Sequence, residues 1–150
     1  MDNLSSGKLD PKRGQRILVV EDDAHLNKLI SYNLAKLGCA VESVYDGLSA
    51  LEKISKEIFD VVVLDIMLPN VSGFRICELL KENSSSFHTR VVILTARAEP
   101  LDKIYGESVG ADCYLTKPFS VLRLVDIVTC FLNGNNQGSG ADPKGRECCA

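Results

Sequence analysis

Four short apolar runs in this chain each end at polar residues of a particular kind. Val61-Val62-Val63-Leu64 ends at Asp65, and Val19-Val20 ends at Glu21-Asp22-Asp23. Val91-Val92-Ile93-Leu94 ends at Thr95-Ala96, and Tyr114-Leu115-Thr116 ends at Lys117-Pro118. Runs of near-continuous Val, Ile and Leu are strands buried on both faces, as in a parallel sheet covered by helices. An anionic side chain at the tip of such a strand costs free energy to desolvate unless a cation or hydrogen bonds compensate. An acid cluster, a lone Asp, a Thr and a Lys at strand ends therefore describe a site for a divalent metal and a phosphoryl group.

Helical spacing separates the runs. Strand one is Arg16–Val20. Leu26, Leu29, Ile30, Leu34 and Leu37 then share one face of a helix from Ala24 to Leu37, and Gly38 suits the residue past its end. Strand two is Ala40–Val44; Asp46 can cap a second helix, with Leu48, Leu51 and Ile54 facing inward. Strand three is Val61–Asp65, and Ser72 can cap a third helix with apolar Phe74, Ile76, Leu79 and Leu80. Strand four is Arg90–Thr95. Pro100 fits the first turn of a short fourth helix ending near Gly110. Strand five is Asp112–Thr116, and a fifth helix runs from Ser120 to Leu132. Its core stripe is Val121, Leu124, Val125, Val128, Phe131 and Leu132, with Leu122 and Ile127 off it. Residues 1–15 read as a flexible lead-in, 16–132 as one domain, and 133–150 as a disordered polar tail or linker.

Alternating strand and helix with right-handed crossovers gives an α/β fold, an open doubly wound sheet of five parallel strands flanked by five helices. Such sheets bind ligands outside the carboxyl ends of their strands. All the polar residues named first lie on that edge.

A net charge of −3 argues against direct nucleic-acid binding by this chain, since such surfaces are strongly basic. No apolar run approaches the roughly 20 residues that cross a bilayer, and the N-terminus lacks a secretion pattern, so the expected compartment is the cytoplasm. Cys39, Cys77, Cys113 and Cys130 sit in apolar segments and read as small reduced core residues. Cys148-Cys149 lies in the polar tail, without a prenylation pattern or enough ligands for structural zinc.

At an effective dielectric near 20, each pair of carboxylates ~4 Å apart repels by about 4 kcal/mol. A cation relieves this, and an all-oxygen donor set favours Mg²⁺. Asp22 and Asp65 can be ligands, with Glu21 acting through water. A carboxylate beside Mg²⁺ can also be a nucleophile that forms an acyl phosphate. Lys117 supplies a mobile positive charge, Thr95 a hydroxyl and Ala96 a backbone N–H for phosphoryl oxygens. Singly these residues have ordinary readings: Asp23 is better read as a helix cap, Thr95 as a strand end, Lys117-Pro118 as a turn. Their combination carries the signal.

The chain resembles a response-regulator receiver (CheY-like) domain of two-component signal transduction. The matching runs are Ile17–Asp23, Val63–Pro69, Leu94–Arg97, Gly110–Asp112 and Thr116–Phe119, in the family's order. The resemblance implies the flavodoxin-like strand order 2-1-3-4-5. It implies that Asp65 accepts a phosphoryl group from a sensor histidine kinase or phosphotransfer protein. It implies Mg²⁺ (or Mn²⁺) held by Glu21, Asp22, Asp65 and the Met67 carbonyl. Thr95, Ala96 and Lys117 would contact the phosphoryl group, Thr95 and Tyr114 would act as the switch, and Met67 and Arg97 would tune its lifetime. Lys117-Pro118 would be cis. Such a protein is a phosphoacceptor switch with slow autodephosphorylation rather than an enzyme. Output would run through the face of the fourth helix, fifth strand and fifth helix, to a homodimer or an effector. Leu122 and Ile127 are the exposed apolar residues expected there, and Lys103, Asp112, Arg123 and Asp126 form only part of a charged network.

Two output arrangements stay open: a stand-alone receiver, or the N-terminal receiver of a longer regulator with a DNA-binding domain. A non-phosphorylated interaction module is a third reading. A flavin module of the same architecture would need a phosphate cradle where Glu21-Asp22-Asp23 repels phosphate. A phosphatase with an Asp nucleophile would place a second acid where Met67 stands.

Overall fold

The structure, a computed structural model, describes residues 14–96 and 108–134. All five expected strands form and run parallel: β1 Arg16–Val20, β2 Ala40–Val44, β3 Val61–Asp65, β4 Arg90–Thr95 and β5 Cys113–Thr116. Their spatial order is β2-β1-β3-β4-β5. The helices among the described residues are α1 Ala24–Ala35, α2 Gly47–Lys56, α3 Gly73–Glu82 and α4 Val121–Leu132. The fourth helix expected from Pro100 falls on residues 97–107, outside the described ones.

Strand periodicity sorts the core into two layers. Ile17, Val19, Val61, Val63, Val92 and Leu94 face Ile30 and Leu34 of α1 and Leu124, Val128 and Phe131 of α4. Leu18, Val20, Val62, Leu64, Val91 and Ile93 face Ala50 of α2 and Ile76, Cys77 and Leu80 of α3. The central strand β3 is buried along its whole length, Asp65 included.

Each helix starts on the cap its sequence offers. Asp23 accepts from the His25 and Leu26 N–H groups, Asp46 from Ser49, Ser72 from Phe74 and Ser120 from Arg123. Gly38 has a φ of +90°, the left-handed region that suits glycine past a helix end. Gly73 is required for contact: a Cβ there would sit 2.3 Å from the Asp65 carbonyl oxygen.

Several expectations about faces are corrected. Leu29 is 48% exposed and Leu48 56% exposed. The inner face of α1 runs through Asn27, Ile30 and Leu34, and that of α2 through Gly47 and Ala50. Ile127 is buried, at 1% exposure. It stands three residues after Leu124 and four before Phe131, so it shares their face. Asp112 accepts from Lys81 Nζ at 3.0 Å, from Arg90 Nη1 at 3.3 Å and from the Val91 N–H at 2.8 Å. This ties α3 to β4 at the amino edge of the sheet. Cys39, Cys77 and Cys113 are buried and outside any disulfide, and burial pushes the Cys77 thiol up to about 12. Cys130 is disulfide-bonded, against expectation; its side chain is only half-buried near the end of α4, where solvent reaches it. Cys148 and Cys149 lie outside the described residues.

Candidate functional site

The parallel register puts the carboxyl ends of β1, β3, β4 and β5 on one edge. Val20 pairs with Leu64, Asp65 with Leu94, and Thr95 with Thr116. The residues at or just past these strand ends therefore enter a common space. Glu21 follows β1 and is fully buried, Asp22 beside it is exposed, and Asp65 closes β3 at 3% exposure. One carboxylate oxygen from each of Glu21, Asp22 and Asp65 lies within 4.8 Å of the others.

Lys117 enters from the far side. Its backbone N–H donates to the Thr95 carbonyl at 2.6 Å, extending the β4–β5 ladder by one residue. The Lys117-Pro118 bond is cis. Lys117 Nζ lies 3.0 Å from Glu21 Oε1 and 3.3 Å from Asp65 Oδ2. Asp65 Oδ1 accepts from the Met67 N–H at 3.1 Å. Glu21 Oε2 accepts from the Asp23 N–H at 3.1 Å.

Burial pushes the Glu21 carboxyl up to about 7, helped by the Asp65 charge and opposed by Lys117. For Lys117, burial acts to lower its pKa, but Glu21 and Asp65 outweigh it and the net shift is upward. The single lysine faces more negative charge than it can neutralise.

A divalent cation fits this donor set. All three side chains offer oxygen, which suits a hard cation. Glu21 Oε1 is buried and accepts no hydrogen bond within the described residues, its company being the Lys117 ammonium. Such an oxygen has unused acceptor capacity turned into the pocket.

The remaining residues of interest fall around this pocket. Thr95 is fully buried at the end of β4 and Ala96 beyond it is exposed. Tyr114 is 9% exposed, its ring packed into the layer that faces α2 and α3. Met67 is 56% exposed, two residues past Asp65. Arg97 and Lys103 lie outside the described residues. Hydropathy alone gives no weight to Asn27, which donates to the Glu21 carbonyl at 3.0 Å. Its spacing with Ile30 and Leu34 is the signal that places it on the buried face of α1.

This fold and edge define a doubly wound α/β domain with an acidic pocket at the carboxyl ends of its strands, and comparison with known proteins supplies the family. The chain belongs to the response regulator receiver domain family, whose model matches residues 17–129. It is 43% identical over 111 residues to regulatory protein VanRc of Enterococcus gallinarum, covering 74% of this chain and 47% of that protein. It is 42% identical over 106 residues to the alkaline phosphatase synthesis transcriptional regulatory protein PhoP of Bacillus subtilis, covering 71% and 43%. The chain thus spans about half the length of the curated relatives it matches. The BeF3-activated receiver domain of DrrB, from Thermotoga maritima, superposes with a TM-score of 0.74 at 38% identity, covering 80% of this chain and 98% of that one. The receiver fold and the two-component class are thereby established. Among the described residues, no helix is long and apolar enough to cross a membrane.

Proposed function

We propose that this chain is a phosphorylation switch whose acceptor is Asp65, charged by the phosphohistidine of a sensor kinase or phosphotransfer protein. One observation carries the reading: a carboxylate only 3% exposed ends the central strand, held by the Met67 N–H and facing Lys117. In the transfer, phosphorus passes from the donor nitrogen to an Asp65 oxygen; the N–P bond breaks as the acyl phosphate O–P bond forms. The reaction needs alignment and charge neutralisation more than covalent help. The Lys117 ammonium, the Thr95 hydroxyl and the Ala96 N–H would donate to phosphoryl oxygens. Glu21, Asp22, Asp65 and the Met67 carbonyl would hold Mg²⁺ or Mn²⁺, which would neutralise charge on those oxygens.

Met67 and Arg97 shield the acyl phosphate from water and set its slow autohydrolysis. The phosphoryl group adds nearly two charges and three acceptor oxygens. Turning a 1:99 equilibrium into 99:1 takes about 5.5 kcal/mol of differential binding, within reach of several charge-assisted bonds from Lys117 and Thr95. Thr95 and Tyr114, on adjacent strands, carry the change toward the face of β5 and α4. Leu122, 71% exposed on α4, is the apolar contact on that face for a second copy or an effector. Matches covering less than half of two transcriptional or regulatory proteins favour a module that governs a DNA-binding domain. A stand-alone receiver would use the same switch.

The test is incubation with acetyl phosphate and Mg²⁺, followed by intact-mass measurement of the wild type and Asp65→Asn. A phosphoryl adduct on the wild type alone is expected. No adduct on either, or equal adducts on both, overturns the reading.

A further inference from the structure

Asn27 sits in the first turn of α1, wholly buried on the side that faces the sheet. Its amide nitrogen donates to the Glu21 carbonyl and to the Val44 carbonyl, each at 3.0 Å. Its Oδ1 accepts from Ser31 Oγ at 3.1 Å, and Ser31 Oγ lies 2.7 Å from Ser43 Oγ. The Val44 carbonyl also accepts the Glu21 N–H at 3.2 Å. One carboxamide thus joins α1 to the carboxyl ends of β1 and β2, with both amide hydrogens used and its oxygen bonded.

Packing alone does not call for this residue. An amide on an apolar stripe costs free energy unless its bonds are made, and an alkyl side chain would fill the space without that demand. What the amide adds is a fixed Glu21 main chain. Glu21 and Asp22 are the first residues past β1; the Glu21 N–H still meets the Val44 carbonyl, and beyond that bond the ladder stops holding the backbone. Their carboxylates can meet Asp65 within 4.8 Å only if that turn keeps its direction.

We propose that Asn27 is a positioning residue for the acidic pocket: its hold on the Glu21 carbonyl presets the Glu21 and Asp22 carboxylates for a divalent cation. This rests on the cation reading given above. The Ser31–Ser43 hydroxyl pair fixes the amide orientation from behind, so it acts in the same direction with smaller effect.

The test is calorimetric titration of the full chain with MgCl₂ for the wild type, Asn27→Asp, Ser31→Ala and Ile30→Ala. Asn27→Asp keeps the shape but turns an acceptor toward two carbonyl oxygens. Ile30→Ala loosens α1 packing without touching Glu21. The expected result is Mg²⁺ affinity about tenfold weaker in Asn27→Asp, a smaller loss in Ser31→Ala, and wild-type affinity in Ile30→Ala. In metal-free protein the amide NMR signals of Glu21 and Asp23 shift in the first two variants. With acetyl phosphate, half-saturating Mg²⁺ rises while the rate at saturating Mg²⁺ stays near the wild type. Wild-type affinity in both Asn27→Asp and Ser31→Ala, or an equal loss in Ile30→Ala, overturns the assignment. If Asn27→Asp does not fold, Ser31→Ala against Ile30→Ala decides. A wild type that binds Mg²⁺ without acquiring the adduct overturns the switch reading, and the affinities still decide the role of Asn27.

Discussion

Lys117 Nζ lies 3.3 Å from Asp65 Oδ2, joining positions 52 residues apart in the chain. The same ammonium is 3.0 Å from Glu21 Oε1, so one cation serves two buried acids. Lys117→Met leaves both without it. Because Lys117 keeps some solvent contact, the loss of metal-free stability at neutral pH is about 2 kcal/mol, below that of breaking a fully sealed pair. Lys117→Arg does not restore the wild type, since a planar guanidinium cannot reproduce a compact point charge. Urea unfolding with and without MgCl₂ checks this: added Mg²⁺ recovers more stability in Lys117→Met than in the wild type.

Glu21 sets a pH dependence. Its carboxyl is pushed up to about 7, chiefly by burial, from an ordinary value of 4.5. Between those values the folded protein holds a proton that the unfolded chain has released. Stability from this group is therefore greatest at low pH, falls as pH rises through that window, and levels off above it. Mg²⁺ takes the proton's place, so stabilisation by the metal grows over the same range. Thermal melts between about pH 5 and pH 8, with and without MgCl₂, should diverge in the wild type and run closer to parallel in Glu21→Gln.

Gly73→Ala tests the close approach of α3 to the acceptor strand. The added methyl would lie 2.3 Å from the Asp65 carbonyl oxygen and 2.8 Å from Ile66 Cα, both backbone atoms without freedom to move aside. Destabilisation of about 2 kcal/mol or more is expected, together with slower adduct formation on Asp65. Urea unfolding and intact-mass kinetics read the two effects.

Asp112→Ala separates stability from chemistry. It removes the acceptor shared by Lys81, Arg90 and the Val91 N–H at the sheet edge opposite the pocket. A loss of about 2 kcal/mol is expected. The rate of adduct formation from acetyl phosphate should stay at the wild-type value under conditions where the variant is folded.

Strands β1, β3 and β4 were legible in the sequence because strands of a parallel sheet buried on both sides are near-continuous apolar runs. The caps Asp23, Asp46 and Ser72 were legible because a short polar side chain before an apolar period has one common use. Helix faces were less so. Leu29 and Leu48 fall within the helical period but lie outside the arc that meets the sheet, while Ile127 falls inside it. That arc is set by the crossing of helix over strand, which no single segment encodes. The bonds of Asp112 to Lys81 and Arg90 were not legible, because those partners on α3 and β4 are remote in sequence. Asn27 carried its signal as a polar residue in step with Ile30 and Leu34, but hydropathy cannot say which carbonyls it meets.

The register that gathers strand ends from across the fold has a consequence during synthesis. Asp65 leaves the ribosome long before Lys117, 52 residues later, so an unfinished chain has the acidic turn before it has the Lys117 ammonium or the fifth strand that carries it. The pocket of a growing polypeptide is thereby left without its lysine until the last strand is in place.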